Sequence, residues 1–115
     1  MNPPATNRRR TRRQSAKKMV KLQCQKGTMG LEQNLARQLL DISTDGARLV
    51  SAVTLPVGQE VTVSLELPWQ GRPLAVPARV CWCLALAEGG HCVGVHFERT
   101  IPYRDVQEFA CLSGV

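Results

Sequence analysis

The chain has 115 residues, enough for one domain that buries its own core without disulfide or metal staples. Its net charge of +6 is unevenly placed: residues 1–18 hold seven Lys/Arg and no acid, whereas residues 19–115 hold eight Lys/Arg against nine Asp/Glu. No stretch approaches the roughly 20 apolar residues that span a bilayer, and no apolar run of the secretory type opens the sequence, which sets membrane-spanning and exported classes aside. Cys24, Cys81, Cys83, Cys92 and Cys111 make an odd set without a paired framework, so a reduced, cytoplasmic protein is expected.

Residues 1–15 contain Pro3, Pro4, polar residues and five arginines. With almost nothing to bury they cannot offset their ordering entropy, and a flexible basic arm is expected there. The folded domain is expected over 16–115. Val20, Leu22 and Cys24 alternate with Lys21, Gln23 and Gln25, the pattern of a half-buried strand over 17–26. Leu31, Leu35 and Leu39 repeat at helical spacing, yet no cap follows and the segment runs straight into a polar turn. A strand over about Leu35–Ile42 is preferred, because its neighbours need a pairing partner.

Ala47–Val50 resumes an extended pattern, and Pro56-Val57-Gly58 makes a turn in which Gly58 can take positive φ. Val61, Val63, Leu65 and Leu67 alternate with polar residues at a strict period of two. Pro68–Gly71 turns the chain. Leu74, Val76, Ala78, Val80 and Trp82 then share one strand face, with Arg79, Cys81 and Cys83 on the other. Pro77 within that run points to an edge position or a bulge. Val93, Val95 and Phe97 alternate with Cys92, Gly94 and His96. From Pro102, Val106, Phe109 and Ala110 define an amphipathic helix of about three turns, with Thr100 as candidate N-cap, Asp105 near its positive end and Gly114 as its stop. Six short strands closed by one helix predict a mainly β protein, a six-stranded antiparallel β-barrel with a C-terminal α-helix.

Catalysis finds little support. His91 and His96 stand near one strand, no Ser or Cys has a visible base, and the acids are scattered. Cys81-x-Cys83 is short of the four-ligand spacing of structural zinc, so no metal is expected. The arginines make the stronger case. A guanidinium is an always-charged planar fork that pairs bidentately with phosphate and matches the O6/N7 edge of guanine. Asp41 can accept from the N1–H and N2–H₂ donors of guanine, Ser43 can add a hydroxyl contact, and Gly46 lets backbone approach closely. Read alone, Asp41-x-Ser43 is as readily an Asx or ST turn ending a strand.

Taken in order, the motifs resemble the PilZ domain. An Arg-x-x-x-Arg motif near the N-terminus is followed by a strand and by Asp41-x-Ser43-x-x-Gly46. After these come Gly58 in its turn, the Ala78–Trp82 strand, Gly94-Val95-His96-Phe97 and a closing helix. The resemblance covers about residues 8–112. It implies a non-enzymatic receptor for the bacterial second messenger cyclic di-GMP, working as a conformational switch or adaptor, with no resident cofactor. Arg8/Arg12 and Arg9/Arg13 both fit the arginine motif. Arg9 and Arg13 are preferred, since the family's second arginine stands closest to the first strand. Arg8 then precedes the motif, which in the family accompanies an intercalated dimer of the ligand. Trp82 either stacks on a guanine or is plain core. Asp45 departs from the small residue common in the family before Gly46; turned to solvent, its charge would be screened.

Two other readings stay in view. One is an OB-like barrel binding single-stranded nucleic acid, disfavoured because the five aromatics fall mostly at core-like positions. The other is a nucleotide-independent protein-interaction module, for example in pilus or motility machinery.

Overall fold

The two-residue apolar period builds the strands, as expected. The structure, a computed structural model, describes residues 14–17, 19–27 and 32–110. It contains β1 (Gln14–Ser15), β2 (Lys21–Lys26), β3 (Ala36–Ile42), β4 (Gly46–Ser51), β5 (Glu60–Glu66), β6 (Leu74–Ala85), β7 (His91–Phe97) and a helix, α1 (Tyr103–Phe109). All pairings are antiparallel, in the order β1-β3-β4-β7-β6-β5-β2. Six of these strands form a nearly closed barrel, and the two-residue β1 is an addition at its rim. Val61, Val63, Leu65, Val76, Ala78, Val93 and Val95 fill the interior with Leu49, Ile42 and Phe97.

The barrel seam lies between β2 and β3. Leu35 N–H donates to the Cys24 carbonyl at 2.8 Å. The Asn34 side chain finishes the closure: its Oδ1 accepts from Cys24 N–H at 2.8 Å and from Ala36 N–H at 3.0 Å. A side-chain amide here replaces the ladder that two strands diverging at a seam cannot make. β3 thus has two partners along its outer edge. Its start meets β2, and its end meets β1 through Gln14↔Ile42 and Ser15↔Asp41.

Three register shifts interrupt the ladders, one of them at Arg37 near the start of β3, and the other two set which way the site's side chains face. In β3, Leu39 pairs with Leu49 and Asp41 with Arg48, leaving Leu40 as an extra residue. In β6, Val80 pairs with Val95 and Trp82 with Gly94, leaving Cys81 extra. An extra residue inverts the alternation beyond it. Trp82 therefore leaves the face of Leu74, Val76, Ala78 and Val80, where the sequence placed it, and stands on the outside with Gly94. Cys83 is turned to the core and packs against it, whereas Cys81 is exposed. The two sulfurs do not share a strand face, contrary to the sequence reading.

Other local expectations shift for identifiable reasons. Pro77 is in an interior strand, opposite Thr62, and not at a bulge. It lies beyond the last β6–β7 pair, Ala78↔Phe97, with its carbonyl accepting Glu98 N–H at 2.8 Å. Its missing N–H falls at the ladder's end. The helix is seven residues long, two turns rather than three, and its N-cap is Pro102 with no side-chain cap, not Thr100. It ends because Ala110 extends to bridge Ala16, while Lys17 N–H donates to the Phe109 carbonyl at 2.8 Å. Asp105 does sit in its first turn, and Val106 and Phe109 are buried. Gly114 is outside the described residues. Gly58 takes φ 92°, as its turn requires. No described helix is long and apolar enough to cross a membrane.

Candidate functional site

The polar turn between β3 and β4 is held from three sides. Ser43 N–H donates to the Gly46 carbonyl at 2.9 Å and closes the turn. Phe97 N–H donates to the Asp45 carbonyl at 2.8 Å, and Ile101 N–H to the Thr44 carbonyl at 2.9 Å. The end of β7 and the segment leading to α1 therefore fix its backbone. Within the turn, the Ser43 hydroxyl donates to Asp45 Oδ1 at 2.8 Å, with the Gly46 carbonyl oxygen 3.3 Å away. Asp45 is half-buried and fastens Ser43; it is not a charge turned to solvent.

Gly46 is needed for a reason other than ligand access. A Cβ there would lie 2.5 Å from the Val95 carbonyl oxygen, so the close approach is that of β7 to β4. Gly94 plays the matching part on the outer face. Its absent side chain leaves a bare patch on which the Trp82 indole lies, with Cε2 only 2.3 Å from where a Cβ would stand.

Asp41 is 5% exposed although the β3 bulge turns it outward. It is flanked by Ser15 of β1 on one side and by Arg48 on the other. Arg48 Nε donates to Asp41 Oδ2 at 2.6 Å, and Nη2 bridges to the same oxygen. That hydrogen bond, ahead of the partial burial that works against it, pushes the Arg48 guanidinium further up from its usual range. Arg48 belongs to none of the motifs legible in the chain. Its only advance sign is the two-residue step from Gly46 along a strand, and seeing it requires knowing where β4 begins.

Strand pairing thus sets Trp82, Gly94, Arg48 and Asp41 in one row across β6, β7, β4 and β3. Asp41, Ser43 and Gly46 are brought together, with Ser43 buried and its hydroxyl turned onto Asp45, while Trp82 stands on the outward face of Asp41 and Arg48, two strands from Arg48. Arg8, Arg9 and Arg13 lie outside the described residues. Gln14, the residue after Arg13, is paired with Ile42 beside the turn. The aromatics are less internal than the sequence suggested. Phe97 and Phe109 are core, but Trp69 is 62% and Tyr103 55% exposed, because the first sits in the β5–β6 turn and the second opens α1. Among the described residues no group of three or more His, Cys, Asp or Glu could hold a metal ion.

The family profile described as PilZ domain matches residues 7–113. A solved structure described as the Bacillus subtilis inhibitor of motility, MotI/DgrA, is similar over 96% of this chain, with a TM-score of 0.63 and 18% sequence identity. At that identity the likeness speaks for the fold. The chain spans 53% of that protein, about half its length. No curated protein matches the chain in sequence.

Proposed function

The chain belongs to the PilZ domain family, and from that premise we propose that it binds cyclic di-GMP between its arginine arm and the Asp41–Gly46 turn. PilZ domains are receptor and adaptor modules, not enzymes. One observation carries the reading: β1 is paired to the end of β3, so Gln14 and Ser15, which directly follow Arg13 in sequence, stand beside Ile42 and Asp41. Arg9 is five residues from Gln14, a reach of at most about 18 Å at roughly 3.5 Å per residue. Arg13 is one peptide bond away. In this reading the arm's forks grip the two phosphates, the Asp41 carboxylate takes the guanine donors and Trp82 supplies a ring for stacking, while Ser43 adds its hydroxyl only by turning away from Asp45.

Arg9 and Arg13 form the gripping pair in this reading, Arg8 sets binding of an intercalated ligand dimer, and the loaded arm presents an altered surface to a partner protein. A reduced, cytoplasmic setting accords with the four described cysteines being unpaired. Titration calorimetry with cyclic di-GMP in moderate salt tests the proposal. Low-micromolar binding with two ligands per chain, abolished by Arg9→Ala together with Arg13→Ala, is the expected result. Absence of heat, or binding indifferent to both substitutions, overturns it.

The exposure of Trp69 and Tyr103 favours keeping the single-stranded nucleic-acid reading as the competitor. These aromatics and Trp82 are spread over a turn, a strand and a helix. Oligonucleotide affinity with a steep salt slope, in place of cyclic di-GMP affinity, would select it.

A further inference from the structure

Arg48 is outside the Asp-x-Ser-x-x-Gly motif, yet it is held to Asp41 by a hydrogen bond and an ion pair. Its side chain is 45% exposed, while the side chain of its partner Asp41 is buried. Both contacts to Asp41 Oδ2 use the Nε/Nη2 side of the guanidinium. The plane of the fork is thereby fixed, and Nη1, with the Nη2 hydrogen that points the same way, is not spent on Asp41. Next to Arg48 along the same row is Gly94, covered by the Trp82 indole. A fork of fixed plane, beside a strand whose Gly94 carries an indole ring from the strand beyond, is an arrangement that can hold a purine by its edge and by its face together.

Resting on the cyclic di-GMP reading, we propose that Arg48 is a further specificity-determining residue, donating its Nη1/Nη2 end to the O6/N7 edge of one guanine. Asp41 acts on Arg48 as the group that orients it. A lysine in its place would neutralise Asp41 equally well but would lack the paired donors that the O6/N7 edge needs. In that reading the phosphates already have Arg9 and Arg13 of the arm as partners. The guanine edge is what Arg48 adds.

The test is a cycle of two proteins and two ligands, measured by calorimetry on the full chain. The proteins are the wild type and Arg48→Lys; the ligands are cyclic di-GMP and its 7-deaza-guanine analogue, which lacks N7 and keeps both phosphates. Arg48→Lys is expected to weaken cyclic di-GMP binding by roughly 10- to 100-fold, the range of one bidentate base contact. The analogue should bind the wild type about tenfold more weakly and Arg48→Lys with no further loss, because the contact has already gone. Amide spectra of Arg48→Lys, with Arg48→Gln as a second variant, check that the barrel is intact. An Arg48→Lys affinity within twofold of wild type overturns the proposal, as do two penalties that simply multiply, which would mark a phosphate or purely structural role. Wild type that fails to bind cyclic di-GMP at all is a different outcome, and it overturns the parent reading with this one.

Discussion

Replacing Gly94 with alanine tests the seating of Trp82. The added Cβ would stand 2.3 Å from Cε2, 2.4 Å from Nε1 and 2.7 Å from Cζ2 of the indole. Carbon contacts settle at about 3.5–4.0 Å, so the ring must withdraw by a little more than about 1 Å. It can do so because Trp82 is half-buried on the outer face and the obstructing group is a side chain, not a ladder carbonyl. Overpacking of this kind costs about 1–3 kcal/mol, and with an outward escape the lower part of that range, about 1 kcal/mol, is expected. A Trp69→Phe background leaves Trp82 as the sole indole. Urea unfolding followed by circular dichroism then gives the stability change, and the native emission spectrum reports the ring. A lowered midpoint, emission shifted to the red and weakened cyclic di-GMP binding are expected together. Unchanged emission with a stability change below about 0.3 kcal/mol would refute the seating, since a ring resting on Gly94 cannot ignore a methyl group.

Three further changes separate backbone from side-chain constraints. Gly46→Ala drives its Cβ against the Val95 carbonyl oxygen within the β4–β7 ladder, so it should cost about 3 kcal/mol or more, and a smaller loss than for Gly94→Ala in the same urea titration would contradict the geometry. Asn34→Ala strips the seam of its acceptor for Cys24 and Ala36 N–H; about 1–2 kcal/mol should be lost, with faster hydrogen exchange at those two amides. Burial pushes the Cys24 thiol from 9.0 up to about 11, so above pH 9 the unfolded chain releases a proton that the folded one keeps. Stability should therefore hold below pH 9 and fall between pH 9 and 11 by up to about 3 kcal/mol. Cys24→Ala should lack that component when urea midpoints are compared across pH, and identical slopes would argue against the burial.

Much of the barrel is visible in the chain because burying one face of a strand imposes a period of two. Val61, Val63 and Leu65 could hardly do anything else, and β4, β5 and β7 follow the pattern read from them. The Leu31–Ile42 stretch was ambiguous because its leucines also fit a helix. What decides β3 is the partner on each side, β4 along its length and β1 or β2 at its ends. The helix is a turn shorter than its apolar spacing predicts, since Ala110 is drawn out of it by the bridge to Ala16, a contact some 90 residues away in sequence.

The site divides in the same way. Asp41, Ser43 and Gly46 are legible as a short polar turn between apolar segments, and the charge on residues 8–13 is legible as an excess with no acid near it in sequence. Arg48 and the outward Trp82 are not. Composition and periodicity by themselves determine that this chain forms a one-cored antiparallel barrel with a basic N-terminal segment, because those are local consequences of burial and charge. The tertiary structure alone decides that Leu40 and Cys81 are extra residues, and so that Asp41 and Trp82 face outward in one row with Gly94 and Arg48. A bulge is a mismatch in length between two paired strands, and no single strand carries the record of its partner's register.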